Sequence, residues 1–116
     1  MAKITIPVYN NAIVNTTAVI LYTAPVGGAI VNFVQLTAIG ASVDTTYDFW
    51  KVETGNAKAD KYLIAKDFKL GQVDVNESHH VPFGNWFLDQ GDFIEIQFAG
   101  TGINVSVHVN VVEEAP

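Results

Sequence analysis

The chain contains neither cysteine nor arginine. Without thiols, disulfides and thiolate metal sites play no part in its stability. All six basic residues are lysine (Lys3, Lys51, Lys58, Lys61, Lys66, Lys69), against 12 acidic residues, for a formal net charge of −6. A protein that lacks the planar guanidinium fork and carries excess negative charge is a poor match for phosphates. No nucleic-acid partner is expected, and no anionic membrane surface either. Apolar runs fall far short of the roughly 20 residues a membrane-spanning helix needs. No basic segment followed by an apolar stretch opens the chain, so no secretory leader is read there. The sequons at Asn15, Asn76 and Asn104 are then chance matches. Charge of either sign is also scarce. Charged residues make up 16% and hydrophobic ones 49%, whereas an average soluble domain carries about 25% charged residues. Such a surface implies that part of it is covered.

The last strand is the clearest element present. From Ile103 to Val111 every odd residue is β-branched and apolar, and Asn104, Ser106, His108 and Asn110 occupy the even positions. A period of two places the apolar set on one face, as in a half-buried antiparallel strand. The rest reads as strands between turn signals, with no helical periodicity. Residues 1–15 form an N-terminal arm or edge strand, with Pro7 tolerated at an edge and Asn10-Asn11 as a turn. Strands follow at 17–23, 29–39, 45–53, 62–65, 73–77, 80–83, 86–88, 92–98 and 103–112. Turns stand at Pro25-Val26-Gly27-Gly28, Gly71-Gln72, Gly84-Asn85 and Asp89-Gln90-Gly91, with a loop or single helical turn at 57–60. Gly100-Thr101-Gly102 predicts a hairpin joining 92–98 to 103–112. About eight to ten short strands at this spacing predict an all-β, single-domain antiparallel sandwich over 16–116, of jelly-roll or immunoglobulin-like topology. Three middle strands are apolar on both parities: 17–23, 29–39 and 45–53, the last with Tyr47 and Phe49 opposed by Trp50 and Val52. Such strands need a second cover, either the chain's own arm and loops or a neighbouring subunit.

Candidate sites are few. His79 and His80 are adjacent on a strand and point to opposite faces, so they do not share one ion. His108 lies on the polar face with no carboxylate two residues away, and the three histidines are read as structural or surface groups. Asp89-Gln90-Gly91-Asp92 is read as a turn in which Asp caps local amides and glycine supplies positive φ, not as a calcium loop. The other carboxylates are scattered singly. Ser42, Ser78 and Ser106 lack a nucleophile-elbow context, and the glycines form no phosphate loop. No catalytic residue, metal ligand or cofactor site is assigned, and no enzymatic activity is expected. The aromatic cluster Phe83-Gly84-Asn85-Trp86-Phe87 is the best recognition feature, as a protein anchor, a sugar platform or a core plug. With Tyr47 and Phe49 from the doubly apolar strand, Phe83, Trp86 and Phe87 are the expected interface residues.

Several segments together resemble a known type. They are Leu21-Tyr22-Thr23-Ala24-Pro25, the run from Ala29 to Thr37, Tyr47-Asp48-Phe49-Trp50-Lys51-Val52, and the run from Trp86 to Ile96 closed by the valine-rich strand. The chain is similar to the small β-sandwich virion proteins of tailed bacteriophages. The Leu-x-x-Gly-Asp-x-Ile turn at 88–94 carries most of that likeness. The resemblance implies a structural virion protein, above all a capsid decoration or cement protein. Such a protein bridges major capsid subunits on the capsid surface, often as a homotrimer. The alternative is a tail or baseplate component, or a carbohydrate- or receptor-binding sandwich module.

Overall fold

The computed structural model describes residues 3–13, 16–38, 46–70, 78–81, 84–99 and 104–114. Their strands, in chain order, are β1 (Lys3–Ile13), β2 (Val19–Thr23), β3 (Ala29–Ala38), β4 (Thr46–Val52), β5 (Leu63–Lys69), β6 (Ser78–His80), β7 (Trp86–Leu88), β8 (Phe93–Ala99) and β9 (Val105–Glu114). A single 3-10 turn, Asp60–Tyr62, precedes β5. The predicted strand at 73–77, the Gly71-Gln72 turn and Gly100-Thr101-Gly102 lie outside the described residues.

Pairing is antiparallel throughout and nested. β1 pairs with β9, β2 with β8, β3 with both β6 and β7, and β4 with β5. The chain is therefore one long hairpin with its tip between β4 and β5. Rolling that hairpin sets β9 beside β3 and β8 beside β4. The result is two packed sheets, β1-β9-β3-β6 with β7 also on β3, and β2-β8-β4-β5. The nesting is that of a jelly roll, which decides between the two predicted topologies.

Between the sheets lies one apolar core. Val105, Val107, Val109 and Val111 of β9 are at most 1% exposed, as the alternation requires. Ile94, Ile96 and Phe98 of β8 are equally buried. β8 and β9 were expected to be hairpin partners, but they belong to different sheets. Each has one apolar face, and those faces meet across the core instead of lying side by side.

Two of the doubly apolar strands are explained by backbone and loop. In β3 the register against β9 shifts between Val31 and Phe33. One extra residue switches the inward parity, so Val31 and Val34 are both fully buried. In β4, Trp50 pairs with Glu95 on the face away from the core. There Trp50 is only 7% exposed, and the Lys58 ammonium lies 4.7 Å from its ring centroid. That cover comes from the chain itself, through the segment after β4. In β2 a register shift between Ile20 and Tyr22 leaves Leu21 buried and Ile20 exposed.

Each sheet edge carries an interruption. β1 runs through Asn10 and Asn11, where a turn was predicted, as a single edge strand. The irregularity there is a register shift between Asn10 and Ile13. Pro7 removes a donor from this edge. β2 has its bulge, and β5 contains Asp67 in the left-handed region (φ 53°). β6 and β7 lie end to end along β3. At the junction Asn85 N–H donates to the Asn32 carbonyl (3.2 Å) and Val81 N–H to that of Val34 (2.9 Å). Gly84 approaches the Asn32 carbonyl so closely that a Cβ would collide with it.

A candidate interaction surface

Three connections follow one recipe and meet at one end of the sandwich. Gly28 N–H donates to the Pro25 carbonyl (2.9 Å), Asn56 N–H to that of Glu53 (3.1 Å) and Asp92 N–H to that of Asp89 (3.0 Å). The third residue of each turn is a glycine with positive φ: Gly27 (94°), Gly55 (80°) and Gly91 (85°). A bond from residue four to residue one, with glycine third, is the signature of a type II turn.

Asp92 knits the turns together. It is the only buried charged side chain among the described residues, at 8% exposure. Its Oδ1 accepts from Thr54 N–H (2.9 Å) and its Oδ2 from Asp89 N–H (2.9 Å). Its backbone carbonyl accepts from Ala24 N–H, and the Ala24 carbonyl accepts from Gly91 N–H, both at 2.9 Å. One carboxylate thus caps its own turn, as the sequence suggests, and also clips a second. The third turn is held at the same place, because a Cβ on Gly28 would come within 2.5 Å of the Leu88 carbonyl oxygen.

Of the residues expected to form an interface, Tyr47 (1% exposed), Phe49 (0%) and Trp86 (8%) lie in the core. The Phe49 and Trp86 ring centroids are 5.1 Å apart. Tyr47 packs against Phe98 and Phe68, each at 6.2 Å. Burial raises the Tyr47 phenol above its ordinary value of 10.0. Phe83 lies outside the described residues. Phe87, between buried Trp86 and Leu88, is 58% exposed. It faces Ile30 across β3, and Ile30 in turn faces Val112 of β9. The three form an apolar rung on the outer surface of that sheet. Val26, at the tip of the neighbouring turn, is 79% exposed.

Phe87 also borders a groove of about 470 Å³ whose other walls are Lys51, Glu53, Thr54, Asp89 and Asp92. The fold therefore gathers three carboxylates that are dispersed in the sequence. Asp92 has both oxygens committed to backbone amides. Glu53 and Asp89 are exposed, whereas acid–base catalysis calls for one carboxyl in a drier setting. Lys51, Glu53, Thr54 and Val26 were not singled out by sequence reasoning. The available signal was an apolar residue at the second position of a glycine turn, where a side chain has little to pack on.

The remaining candidates are spread out. His79 and His80 stand opposite Leu36 and Gln35 at the β6 edge. The His108 ring meets Phe33 edge-on at 5.9 Å. Asn32 Nδ2 donates to Asn110 Oδ1 (2.7 Å) on the outer face. Tyr22 donates its hydroxyl to Glu113 Oε2, joining β2 of one sheet to β9 of the other. Partial burial, the bond to Glu113 and the negative charge of Glu113 all raise the Tyr22 phenol above its ordinary value of 10.0.

No protein-family model matches the chain, and no curated protein matches it. Among solved structures, it is similar to a chain of the cyanophage Pam1 capsid asymmetric unit. That match has 20% identity and a TM-score of 0.47, covering 98% of this chain and 82% of the other. It is also similar to a chain of infectious bursal disease virus, Gx strain, with 10% identity and a TM-score of 0.42, covering 97% of this chain and 29% of the other.

Proposed function

We propose that this chain is a structural protein of a virus particle, and within that class a capsid decoration or cement protein of a tailed bacteriophage. On this reading it lies on the capsid surface, bridges neighbouring major capsid subunits and catalyses nothing. The observation that carries the reading is the segment 88–94. The residues that give the chain its resemblance to phage virion proteins are those that build the clipped end of the sandwich, and Phe87 stands exposed beside them. The jelly-roll nesting is in keeping with it, since that architecture recurs in capsid domains, although fold by itself assigns no function. The proposed mechanism is mechanical: many copies bury surface across subunit boundaries and oppose internal pressure. A homotrimer stays within the proposal on the resemblance alone, because the double apolar pattern is explained in β3 by its bulge and in β4 by the chain's own segment over Trp50. The test compares particles with and without the protein during heating and at low ionic strength. Earlier rupture of the depleted particles is the expected result; equal survival would sink the reading.

A second reading, a carbohydrate-binding module, is favoured by one observation. Phe87 offers an exposed ring beside polar groove walls. Trp86, the sequence's more obvious sugar platform, is buried. Glycan-array binding lost in Phe87→Ala would support that reading over the first.

A further inference from the structure

We propose that the groove beside Phe87 is the contact site for a basic, apolar-anchored segment of a partner protein. As the site of shell attachment, this deepens the decoration reading and rests on it; as a peptide-binding groove, it stands on its own geometry. Three features converge. Phe87 and Val26 are the two most exposed large hydrophobic residues described, at 58% and 79%, and the turn that carries Val26 is held against β7, which carries Phe87, by Gly28 at the Leu88 carbonyl. Exposed aromatics at the centre of a contact contribute disproportionately to affinity. The groove is open and offers about 470 Å³, the room a side chain needs.

Charge then selects the occupant. The groove walls carry Glu53, Asp89 and Asp92 against Lys51, so the lining is net negative. The chain as a whole is at −6 and has no arginine. A second copy carries the same net negative charge, which slows its encounter with this groove. A lysine- or arginine-bearing partner meets it favourably. Phe87 supplies the apolar anchor, and Glu53 and Asp89 flank it as acceptors on the exposed rim. Asp92 already has both oxygens engaged and holds the wall in place.

The experiment has two arms. In the first, ¹⁵N-labelled protein is titrated with an amidated 12-residue peptide alternating leucine with lysine and arginine, and separately with its glutamate-substituted counterpart and a panel of neutral oligosaccharides. The basic peptide is expected to shift the amides of Thr54, Phe87 and Asp89. Affinity should fall about tenfold in Phe87→Ser, the effect of losing roughly 1.4 kcal/mol, and several-fold in the double variant Glu53→Gln/Asp89→Asn. That double variant should also bind with little salt dependence. Shifts elsewhere, equal response to the acidic peptide, no binding, or binding of saccharide alone would each overturn the groove. Phe87 and Glu53 are exposed, so unchanged unfolding midpoints certify both variants as folded, and Val26→Ser gives an independent probe.

In the second arm, particles stripped of the protein are reloaded with wild type or variants. Wild type that loads and stabilises while Phe87→Ser loads equally well refutes the groove and leaves the decoration reading standing. Wild type that fails to load refutes the decoration reading, and the peptide arm then decides the groove.

Discussion

Replacing Asp92 tests whether one carboxylate holds an end of the sandwich together. The side chain is 8% exposed and accepts two backbone N–H groups, from Thr54 and Asp89, both at 2.9 Å. A hydrogen bond to a charged group contributes about 1.5–3 kcal/mol. The donors sit in turns that water reaches once the carboxylate is gone, so the lower figure applies to each. Asp92→Ala should therefore cost about 3 kcal/mol. For a domain of this size the unfolding entropy is about 0.24 kcal/mol per degree, which makes that loss a fall of roughly 12 °C in melting temperature. Asp92→Asn keeps one acceptor but turns an amide donor toward the other N–H, for a loss of about 2 kcal/mol, or roughly 8 °C. Asp89→Ala is the control. Its side chain is exposed and only its backbone amide is used, so it should stay within about 0.5 kcal/mol of the parent. Calorimetry and urea unfolding read the totals, and amide exchange reads the place. The Thr54 and Asp89 protons should exchange faster in Asp92→Ala, while those of β9 follow only the global loss. An Asp92→Ala melting temperature within about 2 °C of the parent would refute the reasoning.

Gly28 and Gly55 separate strain from collision. Both have positive φ, but only Gly28 faces a backbone atom, the Leu88 carbonyl. Gly55→Ala should cost about 1 kcal/mol and Gly28→Ala about 3 kcal/mol in urea unfolding. Phe49→Ala removes a fully buried ring packed at a tilt against Trp86. A loss of about 3–5 kcal/mol is expected, with altered tryptophan fluorescence. The raised Tyr22 and Tyr47 phenols bind their protons more tightly in the folded state. Their contribution to stability is whole below pH 10 and is lost as pH rises toward their folded values. Tyr22→Phe/Tyr47→Phe should therefore show a flatter decline in unfolding free energy above pH 10.

The legible parts of this fold were those decided by local pattern. The valine alternation of β9 and the glycine of the 89–92 turn each need only a few residues to show. Less legible was anything depending on who lies beside whom. Alternation says that β8 and β9 each have one wet face, and that holds whether they pair or face each other across a core. The bulge in β3 hides in the sequence for a related reason. A parity switch at Asn32 and Phe33 makes one apolar face read as two. At the candidate surface, strand periodicity requires that Trp86 and Phe87 point to opposite sides. It does not say which side is the core, so both rings read as interface residues, and only Phe87 is exposed. The groove carboxylates, Glu53 and Asp89, are 36 positions apart and meet only because β4 and β7 end at the same place.

The nesting of the strands bears on how the chain is made. β9 does not add to the outside of a finished sheet; it enters between β1 and β3. Residues 3–13 are synthesised before their partners, 105–114, with every other strand of the sandwich made in between. Until then β1 and the inner edge of β3 both present unpaired backbone groups, and the core valines are missing. The sheet must close late and in one cooperative step, in the slow range of milliseconds to seconds typical of non-local β topologies. Pro7 sits on the strand that waits longest, where a missing donor also lowers the chance that two nascent chains pair with each other.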